Sequence, residues 1–108
     1  MLTIVIRRSP VLNLNDFKNT VSVGEKPKGL TSALGALWAA AAGDWETAHQ
    51  IVQESEDRGC AWVHAYLHLK EGDDSNAGYW YRRAGRDACE ESLDEEWDDI
   101  TKTLLEEA

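Results

Sequence analysis

Apolar residues in the last three-quarters of the chain recur at helical spacing, in stretches cut by short polar breaks, and two of those breaks carry the same phrase. Gly43-Asp44-Trp45-Glu46-Thr47-Ala48 is matched 29 residues later by Gly72-Asp73-Asp74-Ser75-Asn76-Ala77. A repeat of that length is one supersecondary unit. Here it predicts a helical hairpin that cannot bury its apolar face alone and stacks on its neighbour. In each copy the glycine stops one helix and the aspartate caps the next.

The spacing predicts a first helix of the body from about residue 30. Residues 33–42 are alanine-rich and apolar around the whole circumference except at Gly35, so this helix should be buried on most sides. In the second helix Trp45, Ala48, Ile51, Val52 and Ser55 share one face, while Glu46, Thr47, Gln50 and Gln53 take the other. A third helix runs from about 60 to 71. A fourth runs from the Asp73 break to about Ala84, with Ala77, Trp80, Tyr81 and Ala84 inward. The last helix has the sharpest start: Ser92 with Glu95 three residues on forms a capping box. Leu93, Trp97, Ile100 and Leu104 then form an amphipathic stripe, with Asp94, Glu96, Asp98, Asp99, Glu106 and Glu107 outside.

Residues 1–29 lack this periodicity. Residues 2–6 and 21–23 are rich in β-branched side chains and read as short extended segments. Between them Asn13 or Asn15 could cap a single helical turn containing Phe17. Residues 24–29 have linker composition. The expected organisation is thus an irregular or short-strand arm and linker over 1–29, then a helical repeat-like domain over 30–108.

Charge separates the same two regions. Of the net charge of −9, residues 1–29 carry +3 and residues 30–108 carry −12. An acidic body repels phosphate backbones, which argues against nucleic acid as a partner. No apolar run approaches the roughly 20 residues of a membrane span. The opening segment is not expected to act as a signal peptide, because its apolar run is short and precedes the charges. Two cysteines, without CxxC spacing, build no disulfide framework, and a reduced cytoplasmic setting is expected.

The two units share more than their break. Twelve residues before the common alanines stand Ala36 and Ala65, where helices must cross closely. Four after come Val52 and Tyr81, and seven after, Ser55 and Ala84. These positions resemble tetratricopeptide-like helical hairpins. Ala77-Gly78-Tyr79-Trp80-Tyr81-Arg82-Arg83-Ala84 is similar to the A-x-x-W-Y-x-x-A helix of SEL-type repeats in the same superfamily. The stretch from His64 through Gly85 also resembles a small group of bacterial proteins. The period of 29 is shorter than the 34 of standard tetratricopeptides. What the resemblance implies is protein or peptide binding in a groove lined by the first helix of each hairpin.

Candidate chemistry is concentrated on the third helix. Cys60, His64, His68 and Glu71 fall within one stripe roughly 80° wide. Two histidines one turn apart can share Zn²⁺ or Ni²⁺, with Cys60 or Glu71 as a third ligand. Ala65 stands where a metalloprotease needs its general-base glutamate. The blander alternative has the histidines line a hairpin groove or a subunit contact. Tyr79 lies off the core stripe and is the best exposed aromatic for a partner. Arg82 and Arg83 could grip a carboxylate or phosphate, or more simply pair with the body's own acids. No phosphate loop, nucleophile elbow or oxyanion-hole signature is present, so an enzyme is not expected, and neither is a cofactor.

These features together predict an all-α fold: two stacked helical hairpins and a capping C-terminal helix behind an N-terminal arm. The leading functional expectation is a non-catalytic interaction module for a protein or peptide, using His64, His68, Glu71, Tyr79, Arg82 and Arg83. A homodimer would cover the apolar first helix of the body and give the arm a partner. The alternative is a metal- or small-ligand-binding protein built on His64, His68 and Glu71.

Overall fold

The structure is a computed structural model, and it describes residues 12–108. Six helices are present among the described residues: α1 (Leu14–Val23), α2 (Ser32–Ala41), α3 (Trp45–Gln53), α4 (Arg58–Lys70), α5 (Asp74–Ala84) and α6 (Leu93–Glu107). The all-α class is therefore as expected. The extended segment expected at residues 2–6 lies outside the described residues.

Each helix begins at a side chain that satisfies its free amides. Thr31, Asp44, Asp57, Asp73 and Ser92 cap α2 to α6 in turn, and the Ser92–Glu95 capping box is complete. The two repeated breaks are the same structure. Asp44 and Asp73 both have φ −97°, with ψ 74° and 75°. Gly43 and Gly72 precede them at φ 86° and 81°, a left-handed conformation open to glycine at little cost. Three-residue connections of this kind force α2 against α3 and α4 against α5 as antiparallel pairs.

The segment from 14 to 23 departs from the sequence reading. Residues 21–23 are not extended; they form the last turn of α1. Local strand propensity is overridden by a cap at each end: Asn13 Oδ1 accepts from the Asp16 amide at 2.8 Å, and Gly24 closes the helix at φ 74°. Burial adds the larger contribution, because Phe17 is fully enclosed in the main core and its ring lies 6.0 Å from that of Trp97. Thr20 Oγ1 accepts from Trp38 Nε1 at 3.0 Å, tying α1 to α2. One basic group of this segment does meet the acidic body: Lys18 pairs with Asp98 at 2.9 Å on the surface.

The main core gathers Phe17, Leu34, Leu37, Val52, Cys60, Val63, Leu67 and Ile100 from every helix except α5. Helix α6 lies across both α2 and α4, and Trp97 Nε1 donates to the Leu37 carbonyl at 3.0 Å. It thereby covers the face formed by the first helices of the two hairpins, where the resemblance would place a peptide groove. Most of the apolar circumference of α2 is enclosed by the chain itself, with Ala33 to Leu37, Ala39 and Ala40 buried, Trp38 half-buried and Ala41 exposed. Covering that helix requires no second copy. Glu96, expected on the outer face of α6, is buried against Tyr81. A second, smaller cluster of Ala65, Ala77 and Tyr81 joins α4 to α5, with Trp62 and Trp80 packed against it.

Candidate metal centre

Helix α4 is buried on two sides. One face gives Cys60, Val63 and Leu67 to the main core; another turns His64 and His68 toward α3 and α5. The i, i+4 spacing stacks the two imidazoles at 4.9 Å with 15° between their planes. Across the seam, α3 presents His49 edge-on to both, at 4.9 Å from His64 and 5.1 Å from His68. His49 Nε2 lies 3.1 Å from His64 Nε2. One potential ligand atom from each of the three rings falls within 4.8 Å of the other two.

Burial and aromatic walls surround the cluster. His64 is 4% exposed, and Trp80 stacks on it at 4.0 Å and 18°. Trp45 flanks His49 at 6.2 Å. Burial is the main cause that lowers the His64 pKa to about 4, and the neighbouring His49 and His68 lower it further. At neutral pH His64 is therefore an uncharged imidazole with one unprotonated ring nitrogen. Its contact with His49 makes one nitrogen a donor and the other an acceptor, and whichever tautomer is chosen, His64 Nδ1 stays buried without a partner.

Two carboxylates stand outside the ring of histidines. Glu71 Oε1 and Asp73 Oδ2 approach His68 Nδ1 at 3.5 and 3.6 Å. Glu71 Oε2 accepts from Trp45 Nε1 at 3.1 Å. Hydrogen bonds from the Asn76 side chain and backbone, helped by His68, hold the Asp73 carboxyl below its usual range.

The expected donor set of His64, His68 and Cys60 or Glu71 is thus corrected in its third member. Cys60 points into the apolar core, fully buried, where desolvation raises its thiol pKa. Glu71 meets the outer nitrogen of His68 instead of joining the donor group. The third imidazole is His49, which sequence reasoning missed. The chain has only three histidines, and all of them meet here, which was the one signal available in advance. Tyr79 is exposed as expected, at 43%. Arg83 forms no ion pair among the described residues: its guanidinium donates to Tyr79 Oη at 3.0 Å and lies 5.5 Å from the Trp80 ring centre. Arg82 is exposed and likewise unpaired among the described residues, so the internal ion-pair role expected for both arginines is absent there.

No family model, curated protein or solved structure matches the chain.

Proposed function

We propose that this chain is a non-catalytic metal-binding protein that holds one divalent first-row transition ion, of the zinc, cobalt or nickel class, between its two hairpins. The observation that carries this reading is the convergence of His49, His64 and His68 from two helices within 4.8 Å. Tetrahedral zinc with Zn–N bonds of 2.0–2.1 Å sets its donors about 3.4 Å apart. The His49–His64 pair, at 3.1 Å, already lies near that spacing, and side-chain rotation must bring the third donor in from within 4.8 Å. Imidazole suits zinc, nickel and copper, whereas magnesium and calcium require oxygen ligands. A purely structural seam would be better filled by apolar rings, which leave no buried nitrogen without a partner.

Titration calorimetry with ZnCl₂ tests the reading. Wild type should bind one ion, and its melting temperature should rise with zinc concentration, because a ligand of the native state stabilises it. The double variant His49→Gln with His64→Gln should lose both responses. A wild type without zinc, cobalt or nickel binding overturns the proposal, as does a double variant that binds like wild type.

An interaction role is favoured by a separate observation, the exposed Tyr79 ring held in place by Arg83 at the edge of the same seam. Aromatic and arginine side chains are the residues over-represented among binding hot spots. In this second reading a protein or peptide, or another copy of the chain, docks on that ledge. A pull-down with wild type but not with Tyr79→Ala would support it.

A further inference from the structure

We infer that Glu71 and Asp73 are positioning residues for His68: their carboxylates hold its Nδ1 proton, so that Nε2 is the nitrogen offered to the ion. The inference rests on the metal reading above and deepens it. Ligating histidines commonly donate their outer N–H to a carboxylate, which sets tautomer and ring orientation and raises ligand basicity. His68 Nδ1 has that surrounding. It is closed off from solvent and has no hydrogen-bond partner, yet two carboxylate oxygens lie at 3.5 and 3.6 Å, a few tenths of an ångström beyond bonding distance.

Both carboxylates are themselves held. Trp45 Nε1 fixes the second oxygen of Glu71 at 3.1 Å, so the indole beside His49 also steadies the support of His68. Asn76 Nδ2 donates to Asp73 Oδ2 at 2.7 Å, and the Asn76 amide donates to Oδ1 at 3.3 Å.

The first hairpin supplies an internal control. Its Asp44 has the same backbone and the same capping bond, to the Thr47 amide at 3.2 Å. Capping alone therefore accounts for an aspartate at this position. It does not account for Glu71 and His68, whose counterparts 29 residues earlier are Ala42 and Ala39. The carboxylate–imidazole arrangement appears only in the unit that carries two of the histidines.

The test compares full-length wild type with Glu71→Gln, Asp73→Asn and the double variant, using Co²⁺ and Zn²⁺ as probes in competition with a chromophoric chelator. Asparagine keeps the cap and glutamine keeps an acceptor for Trp45, so the fold should survive, as circular dichroism will report. The double variant should bind about 10–100-fold more weakly, and Glu71→Gln alone by a smaller factor. Asp44→Asn, at the equivalent cap of the first hairpin, should bind like wild type. Two-bond ¹H–¹⁵N spectra should place the His68 proton on Nδ1 in wild type and shift it toward Nε2 in the double variant, a readout that a capping defect would not move. Wild type and double variant binding with equal affinity would overturn the inference and leave the metal reading standing. A wild type that takes up neither ion would overturn both.

Discussion

The two hairpins have one backbone and two chemistries. Their turns superimpose bond for bond: the Asp44 amide donates to the Ala39 carbonyl at 2.8 Å, and the Asp73 amide to the His68 carbonyl at 2.9 Å. Their close-crossing alanines, Ala48 and Ala77, are 0% and 1% exposed. Yet His64, His68, Glu71 and Trp80 stand where the first hairpin has Gly35, Ala39, Ala42 and Ile51. The space beside Gly35 is occupied by Lys26, whose Nζ would lie 3.7 Å from an added Cβ. Residues that keep the repeat build the scaffold, and residues that break it build the site. His49 belongs to the first hairpin, so the candidate centre exists only where the two units meet.

The largest effect should come from the shared core. Leu37→Ala, at a fully buried position of α2, should cost about 2–5 kcal/mol in urea denaturation. If the scaffold and the site are separable, the folded variant should retain zinc affinity within a few-fold. Enlarging the crossing alanines comes next. Ala48→Leu and Ala77→Leu should each cost about 1–3 kcal/mol by overpacking, and a melt of either variant indistinguishable from wild type would break the equivalence of the two crossings.

Trp80→Ile gives the second hairpin the residue of the first. It removes the stack on His64 and should cost about 0.5–1.5 kcal/mol beyond lost apolar area, with weaker zinc binding. Unchanged affinity would show that the indole merely fills space.

A smaller effect concerns the α5–α6 contact, which also has no parallel in the first hairpin. Desolvation raises the Glu96 pKa above its ordinary 4.5, Asp99 raises it further, and the Tyr81 hydroxyl, donating to the carboxylate, partly offsets both. Tyr66 and Cys89 face the same carboxylate and are themselves shifted upward, chiefly by burial, which favours their neutral forms. The folded state therefore holds the Glu96 proton more tightly than the unfolded chain. Its contribution is complete below about pH 4.5 and is lost as pH rises through the raised native value. Glu96→Gln should flatten that part of the stability–pH profile, and a profile parallel to wild type would refute the assignment. The smallest effect is at the surface: Tyr79→Ala should change stability by no more than about 0.5 kcal/mol, which makes it a clean probe of partner binding.

Much of what is set by neighbours in the chain was legible beforehand, although the Asp57 cap of α4 and the Gly24 end of α1 were not read from it. Asp44 and Asp73 with their preceding glycines, and Ser92 with Glu95, satisfy amides three residues away, so their role needs no knowledge of the fold. The same holds for the i, i+4 pairing of His64 and His68. What the sequence left open depends on packing between elements. Residues 21–23 favour strand locally, and Phe17 entering the core, together with the caps at Asn13 and Gly24, makes them helix. Glu96 lies at the edge of its helical stripe, and only the approach of Tyr81 buries it. Cys60 and Glu71 share a helix face with the histidines, but α4 is enclosed on opposite sides, and its neighbours divide that face into core and seam. His49 is 15 residues from His64, with a helix end and a loop between. No local rule links those two side chains; the docking of α3 on α4 does, because burying the apolar faces of both hairpins fixes which side chains meet across the seam.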